Sequence, residues 1–355
     1  MLCIRAGRFQ RPGQKHKVAK LGYSLQVTAG SKLPLCIKQH PQERGPGESF
    51  PWWGVGQSPR KEQTMNESSL QELLNAGKRP ILVEFDPPRQ TAPTVFLPGA
   101  RELVEAGADV ITIADCPVGR ANIDACMLAA KMKREYGIQV LPHMACRDRN
   151  LNAIKALLLG LDMEDIRSVL LVTGDPVAQE DRENTRGVFQ VNSRTLARTL
   201  RDLTAAGALP PFFLCGGLNI NARNFEAELA RARQKEECGV SAFLTQPISS
   251  RQAKENMQKA RETLHGAILG GLFPIVSHKN ALFLQQNVNG MRIDDEIVHA
   301  YEGLDRTEGE ALARALCRET ARDIAPFVDG YYIMTPFQRV ELVKSVIRDI
   351  RTEEE

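Results

Sequence analysis

From Arg79 onward the chain alternates short apolar runs with longer amphipathic segments, and this alternation limits the possible folds more than any other feature. Apolar runs separated by helical patterns predict a parallel sheet with crossover helices. The expected strands lie near residues 80–86, 109–114, 138–143, 168–173, 211–216, 241–245, 267–274 and 329–334. Eight such units predict an α/β fold, a closed (β/α)8 TIM barrel. An open doubly wound sheet is the alternative, but no Gly-x-Gly-x-x-Gly motif opens a helix after a strand.

The segments between the expected strands carry apolar residues at helical spacing. They cover residues 94–106, 120–136, 149–162, 192–206, 222–238 and 250–264. Four are followed by a glycine that suits the left-handed position closing a helix: Gly107, Gly137, Gly207 and Gly239. The longest break in the alternation covers 285–328 and contains a helical pattern at about 307–325. We expect extra helices there, before the last strand, that help to shape a substrate pocket.

The composition is that of an ordinary globular protein, with 43% hydrophobic and 25% charged residues in 355. No apolar run approaches the roughly 20 residues that span a bilayer. The eight cysteines form no C-x-x-C pair and the six histidines no H-x-x-x-H pair, so no metal site is predicted. We expect reduced cysteines and a cytoplasmic protein, a homo-oligomer that binds small molecules and neither nucleic acid nor membranes.

Four of the apolar runs end in a polar residue, where a barrel enzyme carries its catalytic groups. Glu84 ends ILVEF, and partial burial there would raise its pKa into the range of a proton donor at neutral pH. The alternative is a structural carboxylate that pairs with Arg89 or caps a loop. Asp175 follows Gly174, whose missing side chain lets a planar ligand approach the backbone, although Gly-Asp is also a common turn pair.

The other two polar strand ends carry His143 and Gln246. A single histidine in this position is more often a hydrogen-bonded packing residue than a catalyst. The amide of Gln246 offers a donor and an acceptor to a ligand with an amide-like edge. Together the four strand ends predict one site assembled from distant segments.

Seven motifs, in this order, resemble those of the methylenetetrahydrofolate reductases: VEFDPPR, ITIADCPVG, VLPHMACRDRN, VLLVTGDP, AFLTQP, GLFPIVS and DGYYIMTPFQR. They run from about residue 80 to 350. A bacterial reductase domain that is elsewhere fused behind a homocysteine methyltransferase has a similar E-x-DPPR and CRDRN. The resemblance implies a barrel that holds FAD and reduces 5,10-methylenetetrahydrofolate to 5-methyltetrahydrofolate, with NADH, NADPH or a protein as electron donor.

The resemblance also implies roles for individual residues. Glu84 matches the general acid that helps to open the five-membered ring of the substrate. Asp175, which we also expect to be catalytic, matches an aspartate near the flavin and the pterin, and Gln246 matches a glutamine that contacts the folate. The remaining matches are His143, Lys235 and Ala114 as flavin-site positions and Asn280 as a second substrate contact. From its position alone, Lys235 would be read as a solvated helix residue.

The chain departs from the family pattern at three places. Ala114 and Asp115 stand where many members have threonine and tyrosine, Thr173 replaces an arginine, and residues 217–221 replace a Y-P-x-x-H stretch. Two other functions therefore stay open. One is a pterin-binding barrel that transfers a methyl group without a flavin, and the other is a partner-dependent subunit of an electron-transfer complex.

Residues 1–64 differ from the rest of the chain. They hold 11 basic and 3 acidic residues, a net charge of +8, whereas the remaining residues carry −5. They also contain 8 Gly, 6 Pro and both tryptophans, with no sustained helical or strand period. A basic arm for nucleic acid or membranes is one interpretation. We favour a disordered or non-native extension that precedes the barrel at residues 65–355.

We expect the natural protein to begin at Met65. Lys61-Glu62 can be encoded by AAGGAG, a ribosome-binding-like string just before the codon of Met65, and an orderly pattern with Ser68 or Ser69 as helix cap follows at once. N-terminal sequencing of the native protein checks this, and residues found before Met65 would show the expectation to be wrong.

Overall fold

Eight parallel strands close into a barrel in which each strand pairs with its sequence neighbours and the last pairs with the first. The structure is a computed structural model that describes residues 68–87, 93–288 and 290–354. The strands are β1 (Ile81–Glu84), β2 (Val110–Ile113), β3 (Val140–Ala145), β4 (Ser168–Val172), β5 (Phe213–Leu218), β6 (Ala242–Pro247), β7 (Ala267–Leu272) and β8 (Gly330–Met334). The predicted (β/α)8 barrel is confirmed, and the open sheet is excluded. The predicted extension, residues 1–64, lies outside the described residues.

The helices follow the predicted segments closely. They are α1 (Leu70–Asn75), α2 (Pro93–Glu105), α3 (Ala125–Tyr136), α4 (Leu151–Met163), α5 (Ser193–Ala205), α6 (Phe225–Glu237), α7 (Arg251–Thr263), α8 (His278–Asn287), α9 (Asp295–Ala300), α10 (Arg306–Ile324) and α11 (Val340–Glu354). The first is capped by Ser69, which forms a capping box with Glu72. All four glycines predicted to close helices have positive φ. β5 begins two residues later than predicted because Pro210 and Pro211 supply no N–H to the ladder.

Two apolar layers hold the barrel together. Inward side chains such as Leu82, Leu141 and Leu269 fill its interior, and Leu70 of α1 packs against them from the N-terminal end of the strands. A larger cluster lies between the strands and the surrounding helices. With its interior filled and one end covered by α1, the barrel is open to ligands at the C-terminal ends of its strands.

The expected extra helices lie between β7 and β8. Three helices lie there, but α10 is the regular barrel helix, since it packs against β7 and α11 and belongs to the main apolar layer. The extra helices are α8 and α9, which form their own apolar cluster around Tyr301 and Ile275. A backbone bridge between Ser249 and Ile293 fastens this part to the end of β6. The insertion therefore lies at the end of the barrel where ligands can enter. No helix in the described ranges has the length and apolar character needed to span a membrane.

Candidate active site

The alternation of side chains along β1 points Glu84 into the barrel mouth. Leu82 faces the interior, so Glu84, two residues later, faces the same way at the strand's C-terminal end. In register, Glu84 lies opposite Thr112 on β2 and Met334 on β8. Tyr332 also faces inward, one layer below Glu84, because it lies opposite Leu82.

Four inward side chains from β1, β2, β3 and β8 make one hydrogen-bonded group. The Tyr332 hydroxyl donates to Glu84 Oε2. His143 Nε2 lies 3.2 Å from Thr112 Oγ1 and 3.8 Å from Glu84 Oε2. The Thr112 hydroxyl also hydrogen-bonds to Tyr332. The structure thus brings together Glu84 and His143, two of the residues that the sequence assigned to the site.

Burial controls the protonation of this group. Desolvation, with a smaller contribution from the neighbouring charge of Asp86, raises the pKa of Glu84 from 4.5 to about 8, and only the Tyr332 hydrogen bond opposes it. Desolvation also raises the pKa of Asp86, against the Ala114 N–H that donates to its Oδ1 at 2.7 Å. It lowers the pKa of His143 to about 3. At neutral pH Glu84 is therefore a carboxylic acid and His143 is neutral, so their 3.8 Å contact is not an ion pair.

One set of proton positions satisfies every member of the group. If His143 Nε2–H donates to Thr112 and Thr112 donates to Tyr332, the Tyr332 proton is free to go to Glu84 Oε2. In this arrangement Oε2 accepts from Tyr332, and a carboxylic proton on Oε1 is left free to be donated. The side chain of Glu84 is 22% exposed, so this proton remains accessible from the mouth.

Asp175 lies on the loop after β4, at the same end of the barrel. Its side chain is exposed, and its carboxylate has no hydrogen bond or ion pair within the described part of the chain. Its backbone is fixed, because buried Arg147 donates from Nη1 to the Asp175 carbonyl at 3.0 Å. Arg147 also donates to the Cys116 carbonyl at 3.2 Å and therefore links the loops after β2 and β4.

The residues just after β2 hydrogen-bond to the ends of the neighbouring strands. Ala114 offers its backbone N–H to Asp86, as described above, and Asp115 accepts from the Ala145 N–H at 2.9 Å. Asp115 is also paired with Arg149, which in turn bonds to Asp124 at 2.6 Å. The polar cluster that follows β3 is thus an internal brace between strand ends.

Gln246 is exposed near the end of β6 and contacts the loop that carries Gly290. A Cβ on Gly290 would lie 3.4 Å from Gln246 Cγ and 3.5 Å from Asn219 Nδ2. Asn221 ties the same places together, since its Nδ2 donates to the carbonyls of Pro247 at 2.9 Å and Gly290 at 2.8 Å. Part of the segment that departs from the family pattern thus fixes the surroundings of Gln246.

Lys235 and Asn280 are held by other parts of the chain. Lys235 is mostly buried on the outer side of β5, where its ammonium donates to the Gly217 carbonyl at 2.5 Å and desolvation lowers its pKa. Asn280 is only 6% exposed, and its Oδ1 accepts from the Val276 N–H at 3.2 Å. Their predicted contacts with cofactor and substrate remain predictions, and for Lys235 such a role would be exerted through Gly217.

Sequence reasoning missed Tyr332 and Thr112 as members of the site. Both lie inside apolar runs, GYYIM and VITI, that read as ordinary barrel strands. The signal that could have found them is the alternation of side chains along a strand. Tyr332 lies two residues before Met334, which is opposite Glu84, and it therefore points the same way. The proposed Glu84–Arg89 pair lies outside the described residues. No group of His, Cys, Asp or Glu in the described ranges could hold a metal ion.

The fold and the site define a (β/α)8 barrel with a protonated carboxyl group at its mouth. A family profile described as methylenetetrahydrofolate reductase matches residues 69–331. The chain belongs to this family. No curated protein matches the chain significantly.

Solved structures share the fold at low sequence identity. A protein from Clostridium thermocellum is similar at TM-score 0.57 and 14% identity over 81% of this chain and 99% of its own. It is described as an uncharacterised protein that binds two copies of 5-methyl-5,6,7,8-tetrahydrofolic acid. An Aquifex aeolicus VF5 protein matches at TM-score 0.45, with 12% identity over 79% of this chain and 96% of its own. Only the first likeness is close enough to support the fold.

Replacing Glu84 with Gln is expected to remove a pH dependence of stability. Between pH 4.5 and about 8, the folded protein keeps a proton on Glu84 that the unfolded chain has already released. The free energy of unfolding should therefore fall, relative to that of E84Q, by roughly 1.4 kcal/mol for each pH unit across this window. Denaturant unfolding at several pH values measures the difference.

The matched control is Glu319→Gln, which changes an exposed glutamate on α10. Its stability curve should run parallel to that of the wild type. Parallel curves for E84Q and the wild type would contradict the raised pKa of Glu84.

Proposed function

We propose that the protein catalyses flavin-dependent reduction of 5,10-methylenetetrahydrofolate to 5-methyltetrahydrofolate. The observation that carries the proposal is the neutral carboxyl group of Glu84, held at the barrel mouth by Tyr332. Family membership supports the reaction type. The folate-binding C. thermocellum protein, which has the same fold, supports a folate ligand at such a barrel.

The mouth offers space for a planar ring system such as that of FAD. Gly217 faces the interior near the end of β5, and a Cβ added to it would meet no atom within 4 Å. His143, Ala114 and Asp175 are the residues proposed to hold the cofactor, with Lys235 supporting the Gly217 backbone. When bound, FAD would supply the hydride, taken from NADH, NADPH or a protein donor.

The protein's own part in the reaction is to move one proton and to orient the folate. Glu84 Oε1–H would protonate a ring nitrogen of the substrate, so that the five-membered ring opens to an electrophilic iminium. Hydride addition to that carbon gives the methyl group. The exposed carboxylate of Asp175 and the amide of Gln246 would bind the polar edges of the pterin.

The absorption spectrum distinguishes the proposed reductase from a methyl-transferring barrel. A methyl-transferring barrel needs no flavin, whereas the proposed reductase should take up FAD and show its absorption bands. Adding the reduced nicotinamide should bleach the bands, and adding methylenetetrahydrofolate should restore them. A colourless protein that takes up no added FAD would contradict the proposal and favour methyl transfer.

We expect Glu84→Gln to separate the two half-reactions. Reduction of the flavin by the donor should continue, because no proton is required from Glu84 in that step. Folate reduction should fall by a factor on the order of 10² or more, because the ring is no longer protonated. Stopped-flow absorption measures both steps, with Glu319→Gln as control. Equal losses in both half-reactions would count against an acid role for Glu84.

Tyr332→Phe should shift the pH dependence of folate reduction. The Tyr332 hydrogen bond lowers the pKa of Glu84, so removing it should raise that pKa further. The loss of activity on the alkaline side should then occur at higher pH than in the wild type. Tyr331→Phe is the matched control, because Tyr331 points outward and donates to the Ala321 carbonyl. An unchanged alkaline limb in Y332F would contradict this coupling.

A further inference from the structure

The segment after β8 carries an exposed aromatic ring on a strained backbone, and both features are energetically unfavourable. Phe337 has φ +48° and Gln338 has φ +56°, so two successive non-glycine residues occupy the left-handed region. Such conformations are strained for residues that carry a Cβ. Phe337 is also 71% exposed, which leaves a large apolar surface in water.

Hydrogen bonds to the end of β1 and to the residues just after it hold this segment beside Glu84. The Thr335 N–H donates to the Glu84 carbonyl at 3.0 Å, and Gln338 Nε2 donates to the Asp86 carbonyl at 3.1 Å. Phe337 lies between these two attachments. The position of its backbone is therefore tied to the strand end that carries Glu84.

We propose that Phe337 is an aromatic platform at the rim of the mouth, on which the aminobenzoyl ring of the folate stacks. The assignment rests on the proposed function, which places the pterin end of the substrate at Glu84. A ring that is mostly exposed and anchored next to Glu84 meets the part of the ligand that leaves the barrel. In folates that part begins with the aminobenzoyl ring.

Stacking of the ligand on Phe337 would explain both the backbone strain and the exposed ring. A planar ring laid on Phe337 removes apolar surface from water, and offset or edge-to-face aromatic pairs add attraction beyond the buried area. The left-handed backbone directs the side chain in a way that a relaxed turn would not. Strain kept at a binding position is a known form of preorganisation.

Three substitutions and a control separate binding from strain. Phe337→Ala and Phe337→Gly both delete the ring, but only glycine relieves the left-handed backbone. Phe337→Tyr keeps a stacking surface. Met163→Ala is the control, because Met163 is an 86% exposed apolar residue at the end of α4, on the side of the barrel away from the mouth. The probe is 5-methyltetrahydrofolate, titrated into the full chain.

We expect F337A and F337G to weaken binding about tenfold, with little change in F337Y and M163A. F337G should melt roughly 2 °C above F337A, because it lacks the strained Cβ. In NMR spectra, the aminobenzoyl protons of the ligand should shift upfield on binding to the wild type but not to F337A. Affinity and stability would thus change independently of each other.

Other outcomes overturn specific claims. Equal affinity in F337A and the wild type, or an upfield shift that persists in F337A, would overturn the platform and leave the proposed reaction standing. Binding that depends on Phe337 in a protein without folate reduction would overturn the reaction and keep the platform. A wild type that binds no 5-methyltetrahydrofolate would overturn both.

Discussion

Closure of β8 on β1 is the constraint on which the site depends. Tyr332 and Glu84 are 248 residues apart in sequence, and the parallel pairing of the first and last strands brings the hydroxyl to the carboxyl group. The same closure removes water from Glu84, which raises its pKa. A sheet that stayed open at this seam would leave β1 as an edge strand and Glu84 in solvent, as an ordinary carboxylate. The acid is therefore a property of the closed barrel.

The rest of the mouth is held together by side chains that form hydrogen bonds to backbone groups. Asp86 accepts from the Ala114 N–H, Asp115 accepts from the Ala145 N–H, and Arg147 donates to the Asp175 carbonyl. Each contact joins the end of one strand to the next strand or loop around the barrel. Polar groups buried at these places would be costly without partners, and the backbone groups they satisfy are those that a strand leaves unpaired where it ends. This frame fixes the backbone around Glu84 and His143.

The sequence predicted the fold well because the barrel repeats one signal. Each strand and helix unit shows a change from apolar runs to helical spacing, and glycines such as Gly137 mark where helices close. Glu84 and His143, which the sequence predicted to share one site, lie close together at the mouth. Tyr332 was missed because an apolar strand does not reveal which of two adjacent tyrosines faces inward. That choice is fixed by its register with Leu82, and register depends on tertiary pairing.

The sequence also did not predict which parts of the chain a given side chain contacts. Lys235 matches a family position, yet its ammonium is taken up by the Gly217 carbonyl on the outer side of β5. Asn280 matches one too, yet it holds the turn before α8. Motif order identifies which residues correspond between relatives, but it carries no information on competing intramolecular partners. Such partners are decided by packing between segments that are far apart in sequence.

Backbone strain in this protein is concentrated where ligands can enter. Six non-glycine residues in the described ranges have positive φ, and Asp165 alone lies at the opposite end of the strands. The other five lie on loops at the mouth: Cys116, Val118, Phe189, Phe337 and Gln338. Such conformations persist only where the surrounding structure holds them, and here the loops are attached to a barrel with apolar layers inside and around it. Relaxing these loops would stabilise the chain at the expense of the surface they present, which is the usual conflict between stability and function at a binding site.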